Sequence, residues 1–223
     1  MNMPFSKYFD HTILAAATTE EKLKAVCDDA VKYNVCSVAV NTGNIRKCAE
    51  FLKGSDVLVD AAVGFPLGIT TVETKLFEIE DALKNGAGEI DYVVNVGKVK
   101  DGDFAYIKDE MERIVALCRK HGVVSKVIFE NCYLTKEEIV ALSKIALEVK
   151  PDFIKTSTGF GTGYATVEDV RLMKETVGDA VKVKAAGGVR DLASALAMIE
   201  AGADRIGCSA SVQIMEEYFA SQK

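Results

Sequence analysis

A closed (β/α)8 barrel, the TIM-barrel fold of the α/β class, is predicted by three features of this 223-residue sequence. Short apolar runs alternate with amphipathic segments from end to end. About eight such pairs fit the chain, which is the repeat number of that barrel. No linker, low-complexity stretch or composition shift interrupts them, so a single catalytic domain over 1–223 is expected. A doubly wound sheet is the alternative, but it usually needs fewer strands, and no G-x-G-x-x-G follows the first run to mark a dinucleotide site.

The run at 8–14 reads as the first strand. Thr18-Thr19-Glu20-Glu21 then supplies the cap and acidic first turn of a helix over 20–33. Strands follow at 35–41 and 57–65, then a helical pattern at 72–85 that stops at Gly86. The run at 89–96 is a strand, and 104–121 is a helix ended by Gly122. A strand at 123–131 leads to a helix at 136–149, capped by Thr135 ahead of Lys136-Glu137-Glu138. The strand at 153–157 precedes a helix at 167–177, with Thr166 at its start and Gly178 at its end. Strands at 181–185 and 205–208 complete the set, with Gly202 before the last falling where a helix should stop. A barrel gathers its chemistry at the C-terminal ends of strands. That is where Asp10, Asn41, Asp91, Asn95, Glu130, Lys155, Lys184 and Ser209 fall.

Composition narrows the function classes. A hydrophobic share of 49% and a charged share of 27% describe an ordinary globular chain. The net charge of −6 argues against a nucleic-acid or anionic-membrane partner, while leaving room for a local pocket that holds a small phosphate. No apolar stretch approaches a membrane span and MNMPFSKYFDHTIL lacks a signal-peptide pattern, so a cytoplasmic location is expected. The six cysteines are scattered without a C-x-x-C pair and read as reduced packing residues. With only two histidines the ligand supply for zinc is poor, so neither a metal nor another cofactor is expected.

The chemistry is read from two lysines inside apolar runs, Lys155 in DFIKTSTG (152–159) and Lys184 in VKVKAAGG (181–188). Each run is short and closes on small residues, as a buried strand opening into a tight loop does. Desolvation of an ammonium is unfavourable and depresses its pKa, and neighbouring cations depress each other further. A free amine attacks carbonyls to form a Schiff base. Asp91, in GEIDYVVN, shares a strand face with Val93 and Asn95; paired with Lys184 it would shuttle protons, or form a purely structural ion pair. Lys182 has the same parity as Lys184 but begins its strand, so a solvated barrel bottom suits it better. Lys126 opens the fifth strand similarly, as a further inner polar contact. His11 is read as a local hydrogen-bonding residue and His121 as a solvated helix-end cation.

Two loops suit an anion. Gly187-Gly188 after the seventh strand and Gly207-Cys208-Ser209-Ala210-Ser211 after the eighth would expose backbone N–H groups, with a helix beginning near Ser209 adding its dipole. Ordinary strand-to-helix turns are the alternative for either loop alone. A third small-residue loop, Gly159 to Gly163, follows Lys155.

Taken in order, DHTIL (10–14), GFPLG (64–68), GEIDYVVNVG (88–97), KVIFEN (126–131), FIKTSTGF (153–160), VKAAGGVR (183–190) and DRIGCSAS (204–211) resemble the deoxyribose-phosphate aldolase family. That resemblance implies a metal-free class I aldolase that reversibly cleaves 2-deoxy-D-ribose 5-phosphate to glyceraldehyde 3-phosphate and acetaldehyde. It implies Lys155 as the Schiff-base lysine, Lys184 as the second lysine that lowers its pKa, and Asp91 as the proton-relay carboxylate. Gly159, Gly187, Gly188 and Ser209 match positions around the substrate phosphate, and Asp10 and Thr158 match polar positions lining the pocket. The chain departs from many relatives at Ala39, Phe160 and Ala210. The partners implied are a phosphorylated sugar and small aldehydes, and barrels of this size often pair through helix faces, which allows a homodimer or higher homo-oligomer. Another Schiff-base barrel aldolase, or a catalytically silent sugar-phosphate binder, is the competing reading.

Overall fold

The computed structural model describes residues 3–222. Met1, Asn2 and Lys223, the extremes of the expected 1–223 domain, lie outside the described residues. Eight parallel strands close into one barrel in chain order: β1 Phe9–Ile13, β2 Ser37–Asn41, β3 Leu58–Val63, β4 Glu89–Val93, β5 Val124–Ile128, β6 Phe153–Lys155, β7 Lys182–Ala186 and β8 Arg205–Cys208. Around it run α1 Glu20–Tyr33, α2 Ile45–Phe51, α3 Val72–Lys84, α4 Val96–Lys100, α5 Phe104–His121, α6 Lys136–Val149, α7 Val167–Val177, α8 Leu192–Glu200 and α9 Ser211–Ser221. This is the predicted (β/α)8 fold.

Strand alternation sorts the side chains into two environments. Val38, Val40, Ala61, Val63, Ile90, Tyr92, Val127, Ile154, Val183, Ala185 and Ile206 point outward into one continuous apolar layer beneath the helices. Each large aliphatic or aromatic side chain buried there contributes roughly 1.5–3 kcal/mol. The opposite parity points inward and carries Asp10, Asp60, Glu89, Asp91, Lys126, Lys155, Lys184 and Arg205, all buried. The helix layer thus supplies the apolar stability, and the barrel interior is free to hold charge.

The predicted caps form. The side chains of Thr19, Thr135 and Thr166 accept hydrogen bonds from the N–H groups of Lys22, Glu138 and Asp169. Glu138 returns the favour at α6, accepting from Thr135 N at 2.7 Å to complete a capping box. The short helices α2 and α4 were not among the helices expected from the sequence, whereas the nearly all-apolar α8, which presents little amphipathic pattern, ends just ahead of Gly202, where a helix stop was expected.

Several strands end earlier than their apolar runs. β4 stops at Val93, because Asn95 turns its side chain to accept from Lys98 N and so starts α4. β5 stops at Ile128, where Glu130 enters the left-handed region at φ 59°. β6 stops at Lys155, and the chain then bends into the barrel mouth. The final helix begins at Ser211, with Ala210 in the cap position, close to the start expected near Ser209. Among the described residues, no helix is long and apolar enough to cross a membrane.

Candidate active site

The inward residues assemble into one buried ionic network. Asp91 is its centre: Oδ2 accepts from Lys155 Nζ at 2.6 Å and from Lys184 Nζ at 2.7 Å, while Oδ1 accepts from Lys126 Nζ at 2.7 Å. Register brings these residues together, since Asp91 is level with Lys126, and Lys155 with Lys184. Lys184 also meets Asp60 Oδ2 at 3.0 Å and Asp10 Oδ2 at 2.5 Å. Lys126 meets Asp60 Oδ2 at 3.0 Å and Glu89 Oε2 at 2.8 Å. Arg205 Nη1 lies 2.5 Å from Asp10 Oδ1 and 3.4 Å from Glu89.

The two lysines read from the sequence have opposite electrostatic states. Burial, aided by the Lys184 cation, pushes Lys155 below the ordinary lysine range despite the pull of Asp91 and Asp60. Burial also acts against the charged form of Lys184, but Asp10, Asp60 and Asp91 outweigh it and raise its pKa. Lys184 is therefore a fixed cation, which corrects the expectation that the two lysines depress each other alike. The two lysines do repel each other, but Lys184 has Asp91, its expected partner, together with Asp10 and Asp60 against its ammonium. Burial alone would raise Asp91, but Lys126, Lys155 and Lys184 hold its carboxyl well below the usual range.

Above this network a cavity of about 420 Å³ opens at the C-terminal ends of the strands. Lys155, Thr158, Gly159, Gly187, Gly188 and Ser209 all line it, whereas Lys184 and Asp91 sit beneath its floor. Asp10 does not line it. Its side chain is fully buried in the ion network, one inward position below Thr12, which does reach the cavity. Gly187 and Gly188 adopt φ 79° and 77°, and a Cβ on Gly187 would come within 2.9 Å of the Tyr164 ring. Only glycine permits both the left-handed backbone and that close approach. The loop after β6 is tied down by Glu130, whose carboxylate accepts from Thr158 N at 3.0 Å and from the Thr158 hydroxyl.

Sequence reasoning missed four contributors. Arg190 lies on the cavity wall and is exposed, at the end of the quoted VKAAGGVR motif. Asp60, Glu89 and Arg205 belong to the ionic network, and the only signal for them was a charged residue at inward parity within a strand. Lys126 is a full member of that network, in the middle of β5. Lys182 is exposed, and His11 Nδ1 lies 2.6 Å from Ser211 Oγ on the outer side of β1. The oxygens of Asp10, Asp60 and Glu89 converge within 4.8 Å, a spacing that suits a divalent cation. The ammonium groups of Lys126 and Lys184 and the Arg205 guanidinium already balance these oxygens, so the donor set does not fit a metal.

Residues 5–215 match the DeoC/LacD family aldolase model. Over 212 residues the chain is 57% identical to the deoxyribose-phosphate aldolase of Lactobacillus acidophilus, covering 95% of this chain and 90% of the relative. A solved structure described as QR15, an aldolase, superposes with a TM-score of 0.92 at 36% identity, covering 97% of this chain and 96% of the other. The tetrameric deoxyribose phosphate aldolase from Aeropyrum pernix superposes with a TM-score of 0.90 at 28% identity, covering 97% and 91%.

Proposed function

The chain belongs to the DeoC/LacD aldolase family, and on that premise we propose that Lys155 is the Schiff-base nucleophile of a deoxyribose-phosphate aldolase. The observation that carries this is the position of Lys155. It is the network lysine that also lines the cavity, and its pKa is pushed down while Lys184 beside it is held as a cation. A neutral amine at the floor of a sugar-sized cavity is the group a class I aldolase needs.

The reaction follows from that placement. Lys155 Nζ attacks C1 of the open-chain 2-deoxy-D-ribose 5-phosphate and forms a carbinolamine, which loses water to give an iminium. The iminium draws electrons from the bond beta to it, so C2–C3 breaks as the C3 hydroxyl loses its proton. Glyceraldehyde 3-phosphate leaves, an enamine remains on Lys155, and protonation at C2 with hydrolysis frees acetaldehyde. Asp91 orients the amine and compensates the iminium charge from 2.6 Å, while the Lys184 ammonium keeps the competing ammonium form of Lys155 unfavourable.

At the cavity's other side, Gly159, Gly187, Gly188 and Ser209 are the proposed phosphate cradle, joined by the Arg190 guanidinium. Thr158 is the proposed polar contact to the sugar. Asp10 supports Lys184 from below rather than touching substrate. Self-association is supported by the tetrameric Aeropyrum pernix neighbour, and a cytoplasmic setting by six cysteines scattered without a C-x-x-C pair. The decisive test is incubation with deoxyribose 5-phosphate and borohydride, followed by peptide mapping. A two-carbon adduct on Lys155, absent in Lys155→Ala, is the expected result; an adduct confined to another lysine would sink the assignment.

A further inference from the structure

Four carboxylates, Asp10, Asp60, Glu89 and Asp91, are buried inside the barrel with four basic side chains, Lys126, Lys155, Lys184 and Arg205. Their charges cancel only while Lys155 is an ammonium. A nucleophilic Lys155 is a neutral amine, and sending its proton to solvent would strand one negative charge in a site shielded from water, which is strongly unfavourable. The proton therefore stays within the network.

We infer that Asp60 holds it: Asp60 is the proton store of the reaction, a carboxylic acid while Lys155 is an amine and a carboxylate while Lys155 is an iminium. This rests on Lys155 as the nucleophile and goes beyond that reading. The contacts single out Asp60 among the four acids. Asp91 accepts three short ammonium contacts, and Asp10 has a cation against each oxygen, Arg205 hydrogen-bonded at Oδ1 and Lys184 at Oδ2 as an ion pair without hydrogen-bond geometry, whereas no cation stands against Asp60 Oδ1. Glu89 has Lys126 at 2.8 Å and Arg205 beyond. Asp60 has only two contacts, both at 3.0 Å and both on Oδ2, and its buried Oδ1 has no hydrogen-bond partner. Asp60 and Asp91 share the ammonium groups of Lys126 and Lys184, and Asp91 is the neighbour to which the stored proton passes.

The surroundings of Asp60 on β3 agree with this. Asp10 faces it from β1, Asp91 and Glu89 from β4, Lys126 from β5, Lys155 from β6, Lys184 from β7 and Arg205 from β8, while its β2 neighbour Ala39 is apolar. Burial, with repulsion from Asp91 and Asp10, outweighs the pull of the two lysines and pushes Asp60 up to about 6. In this scheme Asp60 and Lys155 carry one proton between them over the working range.

The step balances. The Nζ–C1 bond forms, the C1–O bond breaks, and the oxygen leaves as water with one hydrogen from Nζ and one proton from Asp60. The proton passes between Asp60 and Asp91, which share the Lys184 ammonium at 3.0 and 2.7 Å, and Asp91 delivers it at Lys155, 2.6 Å away; Lys184 stays a cation throughout. Hydrolysis returns it by the same route. Asp60 touches neither substrate nor Lys155, so its part is played through its neighbours.

The test is the pH profile of acetaldehyde trapping on Lys155 by cyanoborohydride, with wild type and Asp60→Asn compared. Wild type is expected to trap over a plateau that ends at an alkaline limb. In Asp60→Asn the last proton must come from solvent, so that limb moves down by about one pH unit and trapping above it is about tenfold slower. A carboxylate that merely stayed ionised would hold Lys155 as an ammonium, and Asp60→Asn would then speed trapping; that result, or an unchanged profile, overturns the inference. If Asp60→Asn does not fold, infrared spectroscopy of wild type with carboxyl-labelled aspartate replaces it. A protonated carboxyl band in the free enzyme that disappears on iminium formation supports the store, and its absence overturns it. Failure of wild type to trap on Lys155 at all would instead sink the functional reading.

Discussion

Lys75 and Lys155 are both buried lysines, both 2.6 Å from a carboxylate, and both pushed by burial below the ordinary lysine range. Their settings differ. Lys75 lies outside the barrel, where α3 packs against α5, and donates to Glu110 and, at 2.7 Å, to Val93 O at the end of β4. Glu110 accepts in turn from Asn95 N, so the pair closes off the backbone groups left open where β4 ends. Lys155 shares its carboxylate with two further lysines and lines the cavity, as Lys75 does not. Burial and a depressed pKa are common to a structural lysine and a proposed nucleophile. A shared counter-ion and an open approach separate them.

Substituting the two lysines breaks this comparison most sharply. Lys155→Ala should lower kcat by roughly 10^4-fold or more and abolish the borohydride adduct while leaving unfolding nearly unchanged. Lys75→Ala should do the reverse. It strands Glu110 in the apolar layer, and urea unfolding should show a loss of about 3–5 kcal/mol, with the Lys155 adduct retained in the folded protein. A Lys75→Met, Glu110→Leu double variant should recover most of that loss. If Lys75→Ala also abolished the adduct, the division between the two sites would fail.

Lys184→Met sharpens the comparison by removing the second cation. Lys184 disfavours protonation of Lys155, so its loss raises the Lys155 pKa, and the acidic limb of the pH–rate profile should move to higher pH. The sign is reinforced because Asp10, Asp60 and Asp91 would each keep less compensation and favour an ammonium at Lys155. A shift of about one unit corresponds to about a tenfold loss of amine below the limb. A shift in the opposite direction would mean that Lys184 acts on Lys155 chiefly by some route other than its charge.

The barrel and its main lysines were legible because both are local signals. A charged residue at inward parity inside an apolar run marks Lys155, Lys184 and Asp91, and Thr19, Thr135 and Thr166 announce their helices by capping chemistry. The network around them was not legible. Asp60, in VLVDAAVGFP, and Lys184 are 124 residues apart and meet only when the barrel closes. Glu89 and Arg205 begin their strands, where a solvated end is the ordinary reading, but closure places them inside. The charge state of Lys184 depends on those non-local carboxylates, so no local pattern could give its direction.

Glu130 offers the smallest of these effects and separates positioning from chemistry. Among the described residues, three non-glycine positions have positive φ: Asn34, Lys150 and Glu130. Asn34 and Lys150 are the C-caps of α1 and α6, where a left-handed residue is ordinary. Glu130 follows a strand instead, and the left-handed turn aims its carboxylate at Thr158 N and Oγ1 across the mouth of the barrel. Thr158 in turn accepts from Phe160 N at 3.0 Å, so one carboxylate fixes the loop that carries Gly159. Glu130→Gln keeps the shape, loses the charge and can no longer accept on both oxygens, a change of about 1.5 kcal/mol at a charge-assisted bond. KM for the phosphorylated sugar should therefore rise about tenfold with kcat little changed. Acetaldehyde trapping on Lys155, which needs no phosphate cradle, should keep its wild-type rate. Equal loss in both assays would place Glu130 in the chemistry of the amine rather than in the geometry of the loop.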